Sequence, residues 1–280
     1  MNHALSSHVI ANHRLTTAWL DRVHQSGIPA VEIFAARQHL DYRNRAQVAE
    51  LGHWFKDSDL VFHALHSPMF SDDVWGRSGP NSVISFLETS KPRRQASVDE
   101  IKRAIEIAET APFRFLIQHL GVGGEEFDER KIDAAFTALE ELSLFARHRG
   151  VEILLENIPN GFSSAERLKW FLEVTHLDLN YCFDVGHANL GEGVEKAFDI
   201  MRDRIRSTHV HDNDGKKDSH IFPLLGRGGA VDWNTAMRLL RRGADRFPLL
   251  LELKEDEAFP QPVVAAQEIF EKLEAIRDEE

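Results

Sequence analysis

The stretch "VEILLENIPNGFSSAERLKWFLEVTHLDLNYCFDVGHA", residues 151–188, holds a complete strand–helix–strand unit. "VEILLE" (151–156) and "LNYCFD" (179–184) are short apolar runs, each ending in a carboxylate. Strands apolar on both faces are buried on both faces, the habit of a parallel sheet covered by helices. Between them "SSAERLKWFLEV" opens with Ser163 and Ser164 and places Glu166 near the first turn, which marks a helix N-terminus. Gly150, just before the first strand, suits a helix C-terminus that needs positive φ.

The same unit recurs in both directions. Further strand candidates are "ALSSHVI" (4–10), "AVEIF" (30–34), "LVFHALH" (60–66), "FRFLIQH" (113–119), "RSTHVH" (206–211) and "FPLLLEL" (247–253). "DEIKRAIEIAE" (99–109) and "IDAAFTALEELSLFARHRG" (132–150) repeat apolar residues at i, i+3 and i+4, as amphipathic helices do. "NTAMRLLRRGAD" and "PVVAAQEIFEKLEAIRD" supply the last two helices. Eight such units predict a single-domain (β/α)₈ TIM barrel over 1–280, with right-handed crossovers. A doubly wound open sheet would carry a glycine-rich dinucleotide turn after an early strand. None is present; "GVGGEEF" (121–127) has neither the spacing nor the position, so no nucleotide cofactor is expected. The segment 69–97 is too long for an idle connection and is a candidate lid. Trp75 and Phe86 are placed to close it over a small substrate.

Composition narrows the function. With 42% hydrophobic and 28% charged residues the chain reads as soluble and globular. A formal charge of −12 gives no footprint for nucleic acid or an anionic membrane. The one cysteine, Cys182, excludes an intramolecular disulfide framework. No apolar run is long enough to span a bilayer, and "MNHALSSHVIANHRL" lacks the apolar core of a secretory signal. A cytoplasmic location is expected.

In a TIM barrel the C-terminal strand ends and the loops after them share one pocket. His66, His119, Glu156, Asp184, His187, His209, Asp218, His220 and Glu252 all fall there. Any one of them alone is more simply a hydrogen-bonded structural residue. Nine together cannot be buried without compensating cations. Imidazole mixed with carboxylate suits Zn²⁺, Mn²⁺ or Fe²⁺ better than Mg²⁺ or Ca²⁺.

On "HSP" (66–68), "LLENIPN" (154–160), "FDVGHA" (183–188), "HVHD" (209–212), "DSH" (218–220), "GRGG" (226–229) and "LELK" (251–254), the chain resembles the xylose isomerase-like TIM-barrel superfamily. That superfamily groups sugar isomerases and epimerases with endonuclease IV. The isomerase branch implies one divalent metal, zinc or manganese, held by Glu156, Asp184, His209 and Glu252. Glu156 and Glu252 would then move a proton as base and acid through an enediolate of a carbohydrate-like small molecule. The endonuclease IV branch implies three zinc ions, with His66, His119, His187, Asp218 and His220 as further ligands, and phosphodiester hydrolysis. Nucleic acid enters as a partner only under that alternative.

Several features favour the first branch. Met69 stands where the endonucleases carry an aromatic residue, and "FDVGHANLG" departs from their threonine–cysteine version. No loop interleaves basic and aromatic residues as a nucleic-acid groove does. Arg37, Arg43 and Arg45 could reach phosphates, but helix-surface arginines explain them more simply, and "KPRR" (91–94) reads as a solvated patch. A barrel that binds sugar or metal without turnover is disfavoured by the intact pair Glu156 and Glu252. An isomerase or epimerase is the expectation.

Overall fold

A computed structural model describes residues 1–277. The elements run β1 (His3–Ser6), α1 (Thr17–Gln25), β2 (Ala30–Phe34), α2 (Arg45–Lys56), β3 (Val61–His66), α3 (Lys91–Ile105), β4 (Phe115–Gln118) and α4 (Ile132–Arg147). They continue with β5 (Glu152–Glu156), α5 (Ala165–Thr175), β6 (Asn180–Asp184), α6 (Val185–Leu190), α7 (Val194–Met201), β7 (Ile205–His209), α8 (Trp233–Arg241), β8 (Leu249–Leu251) and α9 (Pro262–Ala275). Neighbouring strands pair in parallel in the order β8-β1-β2-β3-β4-β5-β6-β7. The ring closes just past β7, where Val210 N–H donates to the Leu250 carbonyl (2.8 Å) and Glu252 N–H to that of Val210 (3.2 Å). The expected (β/α)₈ barrel is the fold.

Burial explains the alternation. On α4, Ala135, Leu139, Leu142 and Ala146 are sealed against the barrel at helical spacing. Truncating such a leucine to alanine typically costs about 2–5 kcal/mol. Inside the ring, Ala64, Phe115, Ile117, Leu154 and Cys182 form a small apolar plug. Beyond it, towards the C-terminal strand ends, the interior turns polar.

Three boundaries differ from the sequence expectation. The run 4–10 is strand only to Ser6, whose hydroxyl accepts the His8 N–H (3.3 Å) and opens a 3₁₀ turn over Ser7–Ile10. The run 247–253 keeps strand pairing only over Leu249–Leu251. Within 69–97, residues 91–97 are already the first turns of α3; Pro92 sits in the first turn, where a missing N–H breaks no helical bond. Residues 67–90 hold one short 3₁₀ turn, Gly79–Ser82, in otherwise irregular but folded chain, with Ser71 N–H donating to Ser82 O (2.8 Å) and Ile84 N–H to Met69 O (2.9 Å).

Candidate metal centre

Glu156 ends β5, Asp184 ends β6, His209 ends β7 and Glu252 follows β8; all four are buried. His209 Nδ1 lies 2.9 Å from Glu156 Oε1, 3.3 Å from Glu252 Oε2 and 3.8 Å from Asp184 Oδ2. One ligand atom from each falls within 4.8 Å of the others. Asn157 steadies the frame: its side chain donates to the Asp184 carbonyl (2.8 Å) and accepts the Asp184 N–H (2.8 Å). Asp184 in turn caps α6 by accepting the His187 N–H (2.6 Å), which turns His187 into the same space.

The remaining five predicted residues surround this core. His119 Nε2 approaches Glu156 Oε2 at 2.9 Å and His66 Nε2 approaches it at 3.6 Å. Asp218 lies between His187 Nε2 and His220 Nε2, 3.1 Å from each. All nine therefore share one end of the barrel.

Tautomers can be assigned from the backbone. The Nδ1–H groups of His66, His187, His211 and His220 donate to the carbonyls of Ser67, Asn157, Asp212 and Glu252 at 3.0–3.2 Å. Each Nε2 is thereby turned towards carboxylate oxygens, the orientation that second-shell carbonyls give to metal-ligating histidines. Asp184 Oδ2, His187 Nε2 and His211 Nε2 are buried without a hydrogen bond. Buried acceptors facing one another need a cation, so this donor set fits a divalent metal.

The charges are strongly interdependent. Burial alone would raise Glu156, but His209 and His119 hold it well below the usual carboxylate range. Burial likewise opposes charge on His187 and His209, yet the carboxylates around them raise both well above the ordinary imidazole value. His220, against the same penalty, is raised to about 9 by Glu252 and Asp218. Burial pushes the Cys182 thiol up, so it stays a neutral part of the plug.

Two adjoining cavities of about 420 and 470 Å³ lie over these groups. Met69, Phe70, Ile84 and Phe86 wall the first; Phe34, Met69 and Trp75 wall the second. Trp75 stacks on Phe34 (5.0 Å), and Arg37 Nη1 donates to Ser71 O (3.1 Å), tying the irregular segment to the loop after β2. Arg43 pairs with the buried Glu100 of α3, a structural role rather than a phosphate contact.

Three nearby residues were not singled out in the sequence. His211, two places past His209, brings Nε2 to 3.2 Å from Asp184 Oδ1 and stacks on His220 (3.7 Å). Its approach requires Gly186, where a Cβ would lie 2.2 Å from the imidazole. His8 reaches the mouth from the 3₁₀ turn after β1, with Nδ1 4.0 Å from Glu252 Oε1. Glu32 of β2 accepts from His209 Nε2 (3.0 Å). The readable signals were a second histidine in "HVHD" and a lone charge inside the apolar run "AVEIF".

An eight-stranded parallel barrel with carboxylates and imidazoles gathered at its C-terminal end in candidate metal-holding clusters defines the class: a (β/α)₈ barrel. The chain belongs to the xylose isomerase-like TIM barrel family, whose sequence model matches residues 20–277. Among solved structures it resembles a D-tagatose 3-epimerase-like protein (22% identity, 99% of this chain and 98% of the other, TM-score 0.76). It also resembles an IOLI protein with a binding zinc atom (16% identity, 98% of each chain, TM-score 0.78). A probable endonuclease 4 of Natronomonas pharaonis is 24% identical over 212 residues, 68% of this chain and 74% of that protein.

Proposed function

We propose that this protein is a divalent-metal-dependent isomerase or epimerase acting on a small carbohydrate-like substrate. The observation that carries the reading is the placement of two buried carboxylates, Glu156 and Glu252, both within 3.3 Å of His209 Nδ1 and beneath cavities of small-molecule size. Among the described residues lining those cavities, Lys254 is the sole lysine or arginine, which does not make a phosphate-tracking groove.

Glu156, Asp184, His209 and Glu252 would hold the cation, zinc or manganese, which when bound supplies Lewis acidity towards neighbouring substrate oxygens. Glu156 keeps Oε2 towards His119, and Glu252 keeps Oε1 towards His8. Each can take or return a proton at the carbon beside a carbonyl, one as base and the other as acid. His66, His187 and His220 would hydrogen-bond substrate hydroxyls. Residues 67–90 act as the lid, with Met69, Trp75 and Phe86 excluding water.

The test is to incubate metal-loaded enzyme with a panel of ketoses and ketose phosphates in D₂O and follow the carbon-bound protons by NMR. Exchange of the proton beside the carbonyl, with an epimer or isomer appearing, is the expected result. Absence of exchange across the panel counts against the reading.

A second reading, phosphoester hydrolysis at several zinc ions, is favoured by one observation. His66, His119 and Glu156, and separately His187, His211, Asp218 and His220, also bring ligand atoms within 4.8 Å of one another. Cleavage of an abasic-site duplex, together with three zincs per chain, would select it.

A further inference from the structure

Glu32 is fully buried inside the barrel, away from the cavity. Alternation along β2 turns it inward, while Val31 and Ile33 pack outward into the main core. Both of its oxygens accept hydrogen bonds. Ser6 Oγ, its register partner on β1, donates to Oε1 (2.9 Å), and His209 Nε2–H donates to Oε2 (3.0 Å). No lysine or arginine pairs with it among the described residues. Burying a carboxylate without such a partner is costly, and an apolar side chain would fill the space without that cost. The distinctive contact is therefore the one to His209, whose other nitrogen faces Glu156, Asp184 and Glu252.

We propose that Glu32 is the positioning residue of the centre: by taking the Nε2–H of His209, it fixes the lone pair on Nδ1, strengthens that nitrogen as a donor, and so sets how tightly a divalent cation is held. This rests on the metal-centre reading above. A carboxylate behind a ligating imidazole orients the ring and raises its basicity, and removing such a partner typically weakens metal binding about 10- to 100-fold. Ser6 holds the far oxygen and keeps the carboxylate from turning away.

The experiment titrates Co²⁺ into wild type, Glu32→Gln and Glu32→Asp, reading the visible absorption bands and the affinity by chelator competition. Glu32→Gln can still accept from Nε2 but carries no charge. It should bind Co²⁺ at the wild-type stoichiometry about 10- to 100-fold more weakly, with Glu32→Asp recovering part of the loss. A folded Glu32→Gln with wild-type affinity would overturn the role of Glu32 and leave the metal centre standing. A wild type that binds no Co²⁺ would overturn both. If the glutamine variant does not fold, ¹⁵N NMR of the zinc-loaded wild type decides. A proton on His209 Nε2 supports the assignment, and one on Nδ1 overturns it.

Discussion

His209 uses both ring nitrogens, one towards three carboxylates at the mouth and one towards Glu32 behind it. Losses at single residues should therefore be separable. Glu252→Gln would remove the proposed anionic ligand and proton carrier while keeping the side chain's shape. Turnover should fall by at least about 10²-fold, the scale of general acid–base catalysis, with the unfolding midpoint little changed. Steady-state kinetics beside a thermal melt checks this, and full activity would remove Glu252 from the mechanism. A residue outside the centre gives a pH prediction. His39 donates Nδ1–H to His13 O (2.6 Å) and accepts at Nε2 from Ser7 Oγ (2.9 Å), and burial pushes it down to about 4. Below pH about 6.5 the unfolded chain takes up a proton that the folded chain refuses, so this group removes stability as pH falls from about 6.5 to about 4. The full effect is on the order of 3 kcal/mol. His39→Gln should flatten the dependence in urea unfolding at pH 7, 5.5 and 4.5; an unchanged slope would contradict it. The nine mouth residues were legible because strand ends can be located by counting along apolar runs. Glu32 showed only as a lone charge in an apolar run, and its role was not legible, because strands buried on both faces give no signal of which side points into the barrel.

At the scale of elements, the connection from β7 to α8 carries Asp218 and His220 and is organised by Asp212, whose backbone pairs with Ile221. Asp212 Oδ1 accepts from the backbone N–H groups of Asn213, Ala230 and Val231 (2.8–3.0 Å), and Oδ2 accepts from Trp233 Nε1 (2.8 Å). Gly229 allows this closeness, since a Cβ there would lie 2.3 Å from Oδ2. His220 adopts a left-handed backbone (φ 47°), a conformation that non-glycine residues hold only when their surroundings impose it. Asp212→Asn would turn one acceptor into a donor facing donors, at a cost of about 1–3 kcal/mol. Hydrogen exchange should quicken across 213–231 while the strands keep their protection; uniform protection would contradict the loop's dependence on Asp212. The motifs "HVHD" and "GRGG" were each legible, but what joins them, a glycine backbone pressed on an aspartate, appears only in three dimensions. The start of α3 was missed for a local reason: "KPRR" reads as a charged loop until Pro92 is placed in a first helical turn.

Over the whole molecule, the order of strands in the chain is the order around the barrel, which is why the fold could be read from alternation alone. That order carries groups from β3 to β8 to one end and leaves the apolar plug below them. Among the described residues no helix is long and apolar enough to cross a membrane. With a formal charge of −12, the chain concentrates buried carboxylates at the mouth, and a cation there offsets what imidazoles must otherwise offset. The proposed chemistry rests on Glu156, Asp184, His209 and Glu252 holding one divalent metal, with the outer groups serving substrate. Elemental analysis of protein purified without chelator tests that claim most directly. One tightly held zinc or manganese per chain is the expected result, whereas three zincs per chain, or no metal at all, would rule that arrangement out.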